Sequence, residues 1–212
     1  MEKKSIARIM GLLVLILCFF PMTASAGSGV HGGACRDALG DWITGLGMPT
    51  SGNSHSDIKR VVFSTNQKSM MATFTLAEGV PSAPSSERLF YTILIDSDQD
   101  PTTGRTGWLN IPGVFNEMGV DYEVNVHYEA YSGSWFYSVW DFTADPQQPN
   151  PRDSTGSYSV SRNRVRMSFP LTEIGSPAKF DVVFATWEYQ ISPSEFNAWD
   201  HTPDISVIAL GK

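Results

Sequence analysis

The sequence is short of cysteine, of positive charge and of long apolar runs, and each shortage removes a class of explanation. Of two cysteines, Cys18 lies in the first 26 residues, so Cys35 is the only thiol in the remainder. One thiol closes no disulfide within the chain, and no CxxC or Cys/His spacing suited to zinc is present. Fifteen Lys and Arg stand against 22 Asp and Glu in 212 residues, a net charge of -7. There is no run of basic side chains, so the electrostatic footprint of a nucleic-acid binder, or of a protein docking on an anionic membrane, is missing. No HExxH, GxSxG, phosphate-cradling glycine loop or dinucleotide fingerprint occurs.

The N-terminus carries a different signal. Lys3, Lys4 and Arg8 precede the apolar run Ile9 to Phe20, Pro21 breaks it, and Ala24-Ser25-Ala26 supplies small residues. That order is a secretory signal peptide, too short to span a bilayer stably and cleaved after Ala26. Leu17 before Cys18 occupies a position where a lipobox needs a small residue, which argues against a lipid anchor. A secreted or periplasmic protein follows, with no membrane insertion after cleavage. The expected organisation is a signal peptide over 1–26, an irregular lead-in over 27–56 and one domain over 57–212. Cys35 reads as an incidental thiol of the lead-in.

From residue 58 onward, short runs of alternating apolar and polar residues are separated by turn clusters. They cover 58–64, 70–76, 88–96, 120–129, 135–142, 158–160, 164–169, 180–188 and 205–210. Val120, Tyr122, Val124, Val126 and Tyr128 face one way, with Asp121, Glu123, Asn125, His127 and Glu129 opposite. Ser132-Gly133 turns that run into the next as a hairpin. Pro170 to Ser176 is expected to hold one helical turn. About nine strands and no sustained helical period predict an all-β fold, an antiparallel β-sandwich of jelly-roll type in a single domain.

Ile95-Asp96-Ser97-Asp98-Gln99-Asp100-Pro101-Thr102-Thr103-Gly104 places three carboxylates at alternate positions after a buried strand. Unpaired they repel, and a hard dication with oxygen ligands relieves this, so structural Ca²⁺ is expected on Asp96, Asp98 and Asp100, with Asp121 or Asp57 completing the shell. Pro101 and the lack of a closing Glu exclude an EF-hand. The competing reading is a solvated turn whose Asp side chains cap backbone N–H groups.

Trp135-Phe136-Tyr137-Ser138-Val139-Trp140 puts large rings on both faces of one strand. Phe136, Trp140 and Phe142 are assigned to the core, leaving Trp135 and Tyr137 to the other face, either covered or open to solvent. Trp187, opposite Phe180, Val182, Phe184 and Thr186, repeats the pattern, and Trp108 and Trp199 fall in loops. Flat exposed rings stack on sugars while polar neighbours bond the hydroxyls, so Trp135, Tyr137, Trp187 and Trp108 are the candidate ligand-binding residues. His31, His55, His127 and His201 are scattered, and His127 reads as a surface histidine. Glu123, Glu129 and Glu188 are the carboxylates to test for a glycosidase pair.

Asp37-x-x-Gly40-Asp41, Asp57-Ile58, the 95–104 loop, Gly119-Val120-Asp121-Tyr122 and Asp200-x-x-Pro203-Asp204 follow one another in an order that resembles the carbohydrate-binding family 9-like and DOMON-like domains, related to the glucodextranase C-terminal sandwich. The resemblance implies a β-sandwich that often carries structural calcium and frequently binds sugars, and some relatives bind haem; here that would require His127, Met70 or Met118 facing a pocket. The function expected is a secreted, non-enzymatic, calcium-stabilised module whose partner is a polysaccharide or other glycan, and not nucleic acid. The alternatives are a structural or interaction protein of the cell envelope and a small secreted glycosidase.

Overall fold

The computed structural model describes residues 31–42, 52–106, 118–190, 196–202 and 207–211. The predicted signal peptide, Trp108 and Asp204 lie outside them. Period-two alternation dictates that each strand bury one face, and the described residues answer with two antiparallel sheets packed as a sandwich. The smaller sheet is built from β1 (His31–Arg36), β2 (Ile58–Thr65), β3 (Ser69–Leu76), β8 (Ser157–Ser161) and β9 (Arg164–Pro170), in the order β1-β2-β3-β9-β8. The larger holds β4 (Arg88–Asp96), β5 (Tyr122–Glu129), β6 (Ser134–Asp141), β7 (Asn150–Asp153), β10 (Lys179–Gln190) and β11 (Phe196–Thr202), in the order β11-β10-β4-β5-β6-β7. Its seventh strand, β12 (Ile208–Gly211), pairs with the first third of β10, on the edge that β11 uses further along.

The core between the sheets takes Val61, Phe63, Phe74, Met167 and Phe169 from one side and Tyr91, Ile93, Val124, Val126, Val182 and Phe184 from the other. Phe184 is an anchor, meeting Phe63 at 5.3 Å and Phe74 edge-on at 5.9 Å between ring centroids. Met70 lies in this core, fully buried.

Three strands were not expected. β1 falls in the predicted irregular lead-in: His-Gly-Gly-Ala-Cys-Arg has no β-branched residue, and its strand form comes from pairing along all six residues with β2. Its Cys35 points into the core, 3% exposed, and so is a packed core residue. β7 lies in the proline-rich segment after β6, and β11 contains Trp199, which was expected in a loop; both are edge strands made by a neighbour's unpaired ladder. The helical turn expected after Pro170 is a 3₁₀ turn, Leu171–Ile174.

The aromatic strand β6 is turned over relative to expectation. β5 and β6 pair Tyr128 with Trp135, Val126 with Tyr137 and Val124 with Val139. Directly paired residues share a face, so the inward valines of β5 bring Trp135, Tyr137 and Val139 inward. Phe136, Ser138 and Trp140 therefore lie on the outer face of the larger sheet.

Candidate functional site

Two features concentrate chemistry: a pair of carboxylate clusters at loop junctions, and a band of rings and polar groups across the outer face of the larger sheet. The first cluster joins Asp96, Asp98 and Asp121, one oxygen from each lying within 4.8 Å of the others. Calcium–oxygen bonds of about 2.3–2.6 Å put ligands of one ion at most about 5 Å apart, so the set fits a single cation. Asp96 ends β4 and Asp121 precedes β5, side by side and buried, while Asp98 comes from the exposed loop.

Part of each carboxylate is already held. The Ser97 N–H and hydroxyl donate to Asp121 Oδ2 at 2.9 and 2.6 Å, and Gly119 N–H donates to Asp96 Oδ2 at 3.2 Å. Asp96 Oδ1 is buried and accepts nothing among the described residues. Burial, with the Asp121 charge nearby, raises the Asp96 carboxyl to about 6, and burial raises Asp121 as well. Asp100 does not join them: its Oδ1 takes the Thr102 N–H and hydroxyl, which lower its pKa. The loop closes on Gly119, where a Cβ would stand 2.2 Å from the Thr103 carbonyl oxygen and 2.6 Å from that of Asp100. Only glycine lets the two segments meet that closely.

The second cluster joins Asp37 and Asp41, which follow β1, with Asp200 of β11. Asp57, at the head of β2, stands beside it. Gly40 N–H donates to Asp57 Oδ2 at 3.1 Å, and Ile58 N–H donates to Asp200 Oδ2. Asp57 is 4% exposed and its Oδ1 has no hydrogen-bond partner among the described residues. Burial, then the charges of Asp41 and Asp57, raise Asp200 to about 8. The motif order was legible in the sequence, but the meeting of its ends was not.

The outer-face band follows from register. Trp187 of β10, Phe90 of β4, His127 of β5 and Phe136 of β6 are successive cross-strand partners. Their rings form a stack: Trp187 on Phe90 at 3.6 Å, Phe90 on His127 at 4.8 Å, His127 on Phe136 at 5.4 Å. Two residues along, the next row is Ala185, Thr92, Asn125 and Ser138, and the third is Val183, Leu94, Glu123 and Trp140. Small polar groups thus form a buried row between the rings and Trp140, with Thr92 1%, Asn125 0% and Ser138 7% exposed.

Several of its polar atoms look for partners. Thr92 donates to Asn125 Oδ1 at 2.6 Å, while Asn125 Nδ2, Ser138 Oγ and His127 Nδ1 are buried with no hydrogen bond among the described residues. Glu123 is fully buried and faces Arg105 at 3.6 Å, whose guanidinium also lies 5.1 Å over the Phe142 ring. Burial outweighs that cation and raises the Glu123 carboxyl to about 7, and it lowers Arg105 to about 10. His127 is not a surface residue: burial, aided by the Arg88 charge, takes its imidazole down to about 4. Met118 is buried in the apolar cluster that contains Phe90 and Trp187.

The expected sugar-binding rings fall out differently. Trp135 and Tyr137 face the sandwich core, Tyr137 being 7% exposed. Trp187 does lie on the outer face, yet only 9% of it is exposed. Phe136 is 37% exposed and Trp140 half-buried, so these two rings of the outer face reach solvent. As for paired acids, Glu123 and Glu129 are six residues apart on one strand, about 20 Å. Glu188 points the other way, held by Asn53 at 2.6 Å and Ser86 at 2.8 Å. These three do not form a glycosidase pair, whose separation is about 5–9.5 Å. No family model, curated protein or solved structure matches the chain.

Proposed function

We propose that the protein is a secreted, non-enzymatic carbohydrate-binding sandwich whose sugar site lies on the outer face of the larger sheet, a shallow trough between Phe136 and Trp140. The observation that carries this reading is the alternation of rows: rings, then small polar groups with unmet hydrogen-bonding capacity, then Glu123 and Trp140. A sugar ring has apolar faces and a polar rim, which is the complement of that pattern. Phe136 and Trp140 supply faces for stacking, and Ser138 between them, 7% exposed, is the polar group placed to meet hydroxyls, with Asn125 and Glu123 fully buried behind it.

In the same proposal Asp96, Asp98 and Asp121 hold one Ca²⁺, and Asp37, Asp41 and Asp200 beside Asp57 hold another, the ions acting as structural cross-links. Each would neutralise carboxylates that otherwise repel, and each would tie segments distant in sequence. Support comes from the fit of the oxygen spacing to one cation and from the orphaned Asp96 and Asp57 oxygens.

Retention of the purified protein on a panel of neutral polysaccharides, with and without EDTA, tests the reading. Retention that falls tenfold or more in Trp140→Ala supports it, and chelator sensitivity adds calcium as scaffold. The second reading, an envelope protein without a sugar site, draws on the shielding of Phe90 and Trp187, and absence of retention on every polymer favours it.

A further inference from the structure

Charge is divided between the two sheets in a way the net value conceals. The five strands of the smaller sheet carry five basic residues, Arg36, Lys59, Arg60, Arg164 and Arg166, and no Asp or Glu. The strands of the larger sheet carry three basic and eight acidic residues. On β1, β2 and β9 the inward positions are Cys35, Val61, Phe63, Val165 and Met167, so Arg36, Arg60, Arg164 and Arg166 stand on the outer face, and all four are exposed.

Their register makes a lane. Arg36 pairs with Arg60, Arg60 with Thr75, Thr75 with Arg164 and Arg164 with Ser161, a row that crosses all five strands in about 19 Å. The neighbouring row runs Val62, Thr73, Arg166 and Ser159. At the β8–β9 end an open depression of about 610 Å³ is lined by Arg162, Arg164 and Arg166 with Thr73, Ser159 and Ser161. Arg36 opposite Arg60 is a like-charge cross-strand pair, an arrangement that disfavours the sheet unless a counter-charge is supplied. Among the described residues the arginines in ion pairs are Arg88, Arg105 and Arg152, none of them in this lane.

We propose that this face binds an anionic polysaccharide, one bearing uronate or sulfate groups, as a site separate from the trough on the opposite side of the sandwich. Arginine forks take carboxylate or sulfate oxygens bidentately. Thr75 and Ser161 flank Arg164 in register, and Thr73 and Ser159 flank Arg166, hydroxyls suited to a polymer of hydroxyls. The same face is poorly suited to other polyanions. Phe63, Phe74 and Phe169 point inward, and Tyr158, 40% exposed, pairs with the inward Met167, so among the described residues this face offers single-stranded nucleic acid no stacking ring. A flat sheet face has nothing to insert in a groove. Among the described residues Val62 is its one exposed large apolar side chain, too little to enter a bilayer.

The test measures binding of the purified protein to polygalacturonate, dextran sulfate, neutral dextran, duplex DNA and anionic phospholipid vesicles. Expected is binding to polygalacturonate or dextran sulfate at least about tenfold tighter than to any of the others, weakening by about tenfold or more between about 50 and 300 mM salt. The Arg164→Ser/Arg166→Ser variant should lose about tenfold while its melting temperature and the Trp140-dependent retention stay as they were, because all the exchanged side chains are exposed. Separate responses to uronate and sulfate tell which anion is taken. Binding that is indifferent to the double substitution, equal binding to neutral dextran, or a preference for DNA or vesicles overturns the proposal. Loss of the trough alone, through Trp140→Ala, should leave polyanion binding intact, so failure of one site is distinguishable from failure of the other.

Discussion

Glu123 and His127 sit four residues apart on one face of β5, and burial pushes them in opposite directions. The Glu123 carboxyl rises from 4.5 to about 7, so folding takes up a proton there. Its contribution to stability is complete below about pH 4.5 and is lost as pH rises through about 7. The His127 imidazole falls from 6.5 to about 4, so folding releases a proton there. Its contribution is present above about pH 6.5 and is lost as pH falls through about 4. In the overlap the two slopes oppose, each worth about 3 kcal/mol over its window, and the native protein should show little dependence from them. Urea midpoints measured from pH 4.5 to 7, taken as differences from the native protein because the raised Asp96 and Asp200 carboxyls titrate in all three, should fall with rising pH in His127→Gln and rise in Glu123→Gln. Like slopes in the two variants would contradict the assignment. The residue scale is where sequence reading reached least: Glu123 and His127 were placed on the correct face, but nothing local shows that this face is buried.

At the scale of elements, β6 separates packing from binding by a single step of register. Tyr137→Ala removes a ring from the sandwich core and should cost about 3–5 kcal/mol, read as a lower denaturation midpoint. Phe136→Ala removes a ring that is 37% exposed and should cost about 1 kcal/mol or less while weakening sugar retention. The converse result would restore the orientation expected from sequence. Nine of the strands were legible from alternation, short apolar runs and turn residues, although β4 and β5 turn out to be buried on both faces. β1, β7 and β11 were not, since their own residues carry weak preferences and pairing makes them strands. The face of β6 was hidden because it has rings on both sides; pairing with the inward valines of β5 decides it. The 97–104 loop offers a further test at this scale. Gly119→Ala would drive a Cβ into the Thr103 and Asp100 carbonyls, so it should abolish most of the stabilisation by calcium at that cluster, measured as the shift in melting temperature on adding Ca²⁺.

For the whole molecule, the sandwich is an assembly whose ends are held by carboxylates and whose two outer faces differ in charge and chemistry. If both clusters bind, calcium at about a hundredfold over its dissociation constant should stabilise by about 2.7 kcal/mol per site. For a chain of this size that is roughly 5–10 °C of melting temperature per site. Asp96→Asn should lose one share and Asp200→Asn the other, whereas Asp100→Asn, whose carboxylate is turned to Thr102, should lose little. A protein whose melting is the same in Ca²⁺ and EDTA would remove the ions from the account. Sugar binding on the outer face of the larger sheet is tested most directly by binding isotherms on the best-retaining polysaccharide. The Phe136→Ala/Trp140→Ala variant should bind at least about tenfold more weakly than the native protein, about 1.4 kcal/mol, with its fold intact by circular dichroism. Undiminished binding by that variant would contradict the claim.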